Sequence, residues 1–98
     1  MRTKYSGADK IYCVIPNWNG KDFLVAAVRS LLAQSEPCTV VVVDNGSVDD
    51  SVAIIQKDFP KVRLVQLPVN RGFAGGVNAG IKLALDEGAG YVALFNND

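Results

Sequence analysis

Histidine is absent from this 98-residue chain, and cysteine occurs only as Cys13 and Cys38. Without an imidazole or a Cys-x-x-Cys spacing, the usual donor set of a zinc site is missing. Both cysteines lie in or beside apolar segments, where a free thiol behaves as a small hydrophobe, so they read as reduced and inert. An excess of one charge is lacking too. Ten basic and ten acidic residues cancel, and no basic block exceeds an isolated Lys or Arg, so the electrostatic footprint of a nucleic-acid binder is not there. No apolar run approaches the roughly 20 residues that cross a bilayer. The stretch 1–10 is polar, without the apolar centre of a secretory signal, and is expected to be a tail on a cytoplasmic protein. What is present is a 49% hydrophobic, 20% charged composition, which suits one domain near the small end of what buries an adequate core.

Four short apolar runs, Ile11–Ile15, Thr39–Val43, Val62–Leu67 and Tyr91–Phe95, are each followed within three residues by Asn or Asp. Thr39-Val40-Val41-Val42-Val43 is β-branched without polar alternation, as in a central strand covered on both faces. Between the runs, apolar residues return at helical spacing. Leu24, Ala27, Val28, Leu31 and Leu32 predict a helix over about 22–34. Ser47 with Asp50 matches a capping box ahead of a second stripe, Val48, Val52, Ile55 and Phe59. Val77, Ile81, Ala84 and Leu85 mark a third helix that Gly88 ends. Its early small residues, Gly75, Gly76, Ala79 and Gly80, allow close approach to the sheet or to a ligand. The order is βαβαβαβ, with crossovers long enough for right-handed parallel connections. The expected fold is therefore a Rossmann-like α/β sheet, mainly parallel and four-stranded, with helices on both faces.

In such a sheet the residues after each strand, among them Asn17, Asp44, Asn70 and Asp98, gather along the carboxyl edge, where open α/β sheets bind ligands. The glycine pattern of a dinucleotide fold is missing after the first strand, where the loop is Pro16-Asn17-Trp18-Asn19-Gly20, and no P-loop follows any strand. What remains suits a nucleoside diphosphate with a divalent metal. Trp18 offers a face for a base, or anchors a loop. Asp44 is an acceptor for the imide N–H of uracil or thymine, or caps its own turn. Arg71 can pair with phosphate beside the start of the third helix, or is a solvated surface cation. Asp98 can hold a hard cation such as Mg²⁺ or Mn²⁺, though Asn-Asn-Asp also suits a simple turn.

Together, Val14–Gly20, Val42–Asp49, Asn70–Gly80 and Leu94–Asp98 resemble the successive motifs of family 2 inverting glycosyltransferases, nearest the rhamnosyltransferase-like branch. The resemblance covers about 11–98 and only the nucleotide-binding half of the A-type fold, cut at the metal motif. It implies that Pro16 and Trp18 line the base pocket, that Asp44 bonds the pyrimidine, that Arg71 and Asn78 lie near the nucleotide, and that Asp98 is the metal-holding residue. It also implies transfer from a UDP- or dTDP-sugar donor to a saccharide or lipid-linked acceptor in cell-envelope polysaccharide synthesis, with peripheral membrane association of a longer protein. Two features depart from the family pattern. Asn96 and Asn97 stand where relatives carry acids, and the general base would lie beyond Asp98, so these 98 residues alone are expected to bind rather than transfer. A non-catalytic nucleotide-binding module and a nucleotidyltransferase-like enzyme remain as alternatives. The last strand is apolar on both sides and is expected to expose a sheet edge that favours self-association.

Overall fold

The computed structural model describes residues 10–96. Asp98 and the expected tail residues 1–9 lie outside the described residues. The element order is β1 (Ile11–Asn17), α1 (Lys21–Leu32), β2 (Thr39–Asn45), α2 (Ser51–Asp58), β3 (Arg63–Leu67), α3 (Gly72–Asp86) and β4 (Tyr91–Leu94). The strands form one sheet in the order β3-β2-β1-β4, and every neighbouring pair is parallel. The chain steps outward from β1 through β2 to β3, then crosses back to place β4 on the other side of β1. That reversal puts the first two crossover helices on one face of the sheet and the third on the other.

Side-chain alternation along the two central strands builds both layers. Cys13, Ile15, Val40 and Val42 face Leu24, Ala27, Val28 and Leu31 of α1 and Ile55 of α2. Tyr12, Val14, Val41 and Val43 face the α3 side, where Ala84 packs. Val14, Val41, Val42 and Val43 are 0% exposed, and full burial of each contributes about 1.5–3 kcal/mol. The expected central position of Thr39–Val43 follows from this double coverage. Gly80 lets α3 lie directly on Val14 and Val43, since a Cβ there would sit 2.5 Å from Val14 Cγ1 and 2.9 Å from Val43 Cγ2.

The amino edge of the sheet is tied separately. The Tyr12 hydroxyl donates to Glu87 Oε1 at 2.8 Å, and Arg63 Nε donates to the same oxygen at 3.0 Å. Burial, reinforced by that carboxylate, pushes the Tyr12 phenol up, while the hydrogen bonds from Tyr12 and Arg63 hold Glu87 below its ordinary range. Burial and the neighbouring Cys38 push the Cys13 thiol up to about 12, so it stays a protonated core group.

Local expectations fail in three places. The capping box does not form: the N-cap of α2 is Asp50, without a side-chain cap bond. Ser51 instead donates through both its N–H and its hydroxyl to Asp49 Oδ1, which holds the Asp49 carboxyl below its ordinary range. Val48 does not join the buried stripe; it is 90% exposed, because it lies in the loop before α2. Leu32 and Leu85 are also exposed, at positions where their helices turn away from the sheet. Among the described residues β4 pairs only with β1, so no described strand covers its outer edge.

Candidate functional site

The register sets the site. Asn17 is paired with Asp44 across β1 and β2, so the segments after both strands leave the sheet side by side at its carboxyl edge. Asn19 turns the β1–α1 loop with a φ of 52°, a left-handed conformation that Asn adopts more readily than most residues. The turn brings two loops into register. The Asn19 N–H donates to Ser47 Oγ at 2.8 Å and the Val48 N–H donates to Asn19 Oδ1 at 2.8 Å. Ser47 is thus spent on bonding between loops, which is why it caps no helix.

Beneath this clasp lies Asp44, 3% exposed. Its Oδ1 accepts from Asn17 Nδ2 at 3.1 Å and its Oδ2 from the Ser47 N–H at 3.0 Å. A carboxylate accepts only, so the donating end of the Asn17 amide must face it. Asn17 Nδ2 also lies 3.3 Å from Ser47 Oγ, while the buried Asn17 Oδ1 has no hydrogen-bond partner among the described residues. Asp44 therefore holds the Asn17 amide and the Ser47 turn together from below.

Above the edge opens a cavity of about 500 Å³, lined by Pro16, Asn17, Trp18, Asn45, Asn70, Gly72, Phe73 and Asn96. Its size falls in the range of small-molecule sites. Trp18 and Phe73 are both more than half exposed, which leaves two aromatic faces available to a planar ligand. The wall between them is neutral and polar, rich in amides. A nucleoside diphosphate needs stacking surfaces and hydrogen-bonding groups, and both are here. The β3–α3 turn delivers the rest. Asn45 accepts from the Arg71 N–H at 2.8 Å and donates to the Gly72 carbonyl at 2.9 Å, and Asn70 Oδ1 accepts from the Gly72 N–H at 2.7 Å. These bonds bring the start of α3 against the cavity, where the first-turn N–H groups favour an anion.

Of the residues expected to form the site, Pro16 and Trp18 line the cavity. Arg71 is the N-cap of α3, between Asn70 and Gly72 of the lining, but does not itself line the cavity. Asp44 lies under the loops rather than in the wall. Asn78 is exposed on α3, two turns on from Arg71 at i+7 and so on the same helix face. Asn45 and Phe73 escaped the sequence patterns. Asn45 continues the inward alternation of Val41 and Val43, the one signal that could have marked it as facing α3. Among the described residues no group of three or more His, Cys, Asp or Glu could hold a metal, and the amide oxygens of this wall are neutral donors. A divalent ion would need carboxylate or phosphate oxygens in addition.

Residues 12–98 match the family model Glycosyl transferase family 2. The succinoglycan biosynthesis protein ExoO of Rhizobium meliloti (strain 1021) is 38% identical over 87 residues, covering 87% of this chain and 24% of ExoO. The uncharacterized glycosyltransferase YfnE of Bacillus subtilis (strain 168) is 35% identical over 93 residues, covering 90% of this chain and 22% of YfnE. The chain thus spans about a quarter of the length of these relatives. Among solved structures, the mannosyltransferase PcManGT from Pyrobaculum calidifontis, in complex with GDP-Man and Mn²⁺, shares the fold with a TM-score of 0.66 at 22% identity, over 76% of this chain and 24% of that one. Because the family match runs from the first strand through the last and takes in every loop of the carboxyl edge, the chain belongs to glycosyl transferase family 2.

Proposed function

We propose that residues 11–98 are the nucleotide-sugar-binding half of an inverting glycosyltransferase that uses a UDP- or dTDP-sugar, with rhamnose as the sugar in keeping with the rhamnosyltransferase-like motifs. The observation that carries this reading is the cavity at the carboxyl edge, with Trp18 exposed on one side and the Arg71-bearing start of α3 on the other. In it the base stacks on Trp18 against Pro16, and the diphosphate meets Arg71, with Asn78 on the same helix face. Asp44 serves the pyrimidine imide through the lone pairs that Asn17 and Ser47 leave on its oxygens. Asp98 and the diphosphate together would hold Mg²⁺ or Mn²⁺, which neutralises charge on the departing diphosphate. In the transfer, an acceptor hydroxyl oxygen bonds to the anomeric carbon, the bond from that carbon to the diphosphate oxygen breaks, and the hydroxyl proton passes to a carboxylate base outside this half. These residues alone then bind donor without turning it over. The acceptor is an envelope polysaccharide or lipid-linked saccharide; the succinoglycan role in the name of ExoO supports the first. A cytoplasmic protein lying against the membrane surface fits such an acceptor.

Trp18 is the sole tryptophan, so its fluorescence reports the site directly. UDP, dTDP or both should quench it more strongly with Mn²⁺ present. By calorimetry Trp18→Ala should bind about tenfold or more weakly, as expected for loss of one base–aromatic stack of about 1–3 kcal/mol. GDP belongs in the same titration, since PcManGT was solved with GDP-Man; a guanine preference would reassign the base while leaving the diphosphate site in place. Failure of the parent chain to bind any of the three with Mn²⁺ would refute the reading.

The open edge of β4 supports self-association of this chain. Tyr91 and Leu94 are exposed there, and the strand carries no charge to deter pairing. Sedimentation should show the monomer giving way to dimer or larger species as concentration rises, and a charge at the exposed Ala93, Ala93→Lys, should reverse it. A monomer at all concentrations would count against the edge.

A further inference from the structure

We infer that Asn45 is a positioning residue for the anion side of the cavity, setting phosphate affinity from the tip of β2 without having to touch the phosphate. The inference rests on the nucleoside diphosphate reading above and adds the group that holds Arg71 in place.

Three observations carry it. Asn45 is 5% exposed, yet both ends of its amide are engaged by one short turn: Oδ1 accepts from the Arg71 N–H at 2.8 Å and Nδ2 donates to the Gly72 carbonyl at 2.9 Å. No carboxylate or hydrophobe of this size does both, because the turn presents a donor and an acceptor one residue apart. Gly72 itself has a φ of 76°, so the chain enters α3 through a left-handed residue whose flanking peptides would otherwise be free to swing. Finally, α3 leaves room for the clamp. A Cβ at Gly76 would come within 3.1 Å of Asn45 Nδ2, so glycine there lets the amide lie against the helix. A Cβ at Gly75 would meet Arg71 Cβ at 2.6 Å, so the base of the Arg71 side chain is packed on the next turn. Asn45, Gly75 and Gly76 together fix where the Arg71 side chain starts and how the first turn of α3 faces the cavity.

The test compares uridine, UDP and inorganic pyrophosphate by calorimetry on the parent, Asn45→Ala, Arg71→Ala and the double variant. Loss of the clamp should weaken UDP and pyrophosphate by about tenfold, the scale of one hydrogen-bonded contact. Uridine should keep its affinity, since its stack on Trp18 is untouched. Because Asn45 acts in part through the Arg71 side chain, its removal should weaken UDP less in the Arg71→Ala background than in the parent, a non-additivity that a general loss of structure does not produce. Gly76→Ala is the second variant; alanine is the better helix former, so the helix is retained while the amide is pushed, and the same diphosphate-selective loss should appear. Equal losses for uridine and UDP, or additive losses in the double variant, would overturn the assignment of Asn45. If the parent binds uridine, UDP and pyrophosphate not at all, the functional reading fails first, and the two failures are told apart by that one measurement.

Discussion

Gly80→Val will lower the stability of the fold by about 3 kcal/mol, at the upper end of the usual cost of overpacking a core. The reason is the seat of α3 on the two central strands. A Cβ at Gly80 would meet Val14 Cγ1 at 2.5 Å, Val43 Cγ2 at 2.9 Å and Val14 Cγ2 at 3.3 Å. Both valines are 0% exposed and β-branched, so neither has a spare rotamer to move into. Gly80→Ala separates two opposing effects. Alanine gains about 1 kcal/mol of helix propensity, against an overpacking cost of about 1–3 kcal/mol, so a net loss near 1 kcal/mol is expected. Valine forfeits much of the propensity gain and adds two methyl groups to the same layer. For a domain of this size each 1 kcal/mol moves the melting temperature by about 4–8 °C. Asn78→Ala, on the exposed face of the same helix, is the control and should change little. A valine variant that melts within a few degrees of the parent would mean that α3 rides higher on the sheet than these contacts allow.

Asp44→Ala should cost about 3 kcal/mol of stability with no nucleotide present. The carboxylate takes the Asn17 amide and the Ser47 N–H together, and a buried donor left without its acceptor costs about 1–3 kcal/mol, more where the partner is charged. The loss should be shared with Asn17. In a double-mutant cycle, Asn17→Ala and Asp44→Ala should couple by about 0.5–3 kcal/mol, as neighbours in one network do. Urea unfolding of the four proteins reads this directly. A variant at Asp44 that keeps its stability but loses nucleotide affinity would mean that the carboxylate serves the ligand and adds nothing to the loops. Binding measured on Asp44→Ala without its unfolding curve would mix these two roles.

The sheet was legible because its strands are written in unbroken apolar, β-branched residues. Val40 to Val43 can only be a strand covered twice, and strand direction followed from helices of crossover length. Trp18 was legible as a site residue because it sits in a strand-end loop among Pro, Asn and Gly. Depth and cross-loop bonding were not. Alternation tells which face Asp44 takes, but not that Asn17 and Ser47 roof it over. Ser47-x-x-Asp50 carries the local signature of a helix start. What diverts it is the Asn19 N–H, 28 residues earlier, and no local pattern reports so distant a partner. Asn45 was hidden for the same reason: its amide is satisfied by Arg71 and Gly72, on another loop. Leu85 and Val48 misled in the opposite sense, since hydrophobicity marks a tendency to be covered rather than a neighbour able to cover.

The return of the chain to the far flank of β1 leaves the cleft with two unlike banks. On one, the first three loops are laced together by Asn19, Ser47, Asn45 and Asn70, so a change in any of them is felt in the others. On the opposite bank stands the tip of β4 with Asn96, and among the described strands β4 is paired with β1. The two banks therefore answer to different parts of the sequence, one to three loops acting together and the other to the strand laid beside β1.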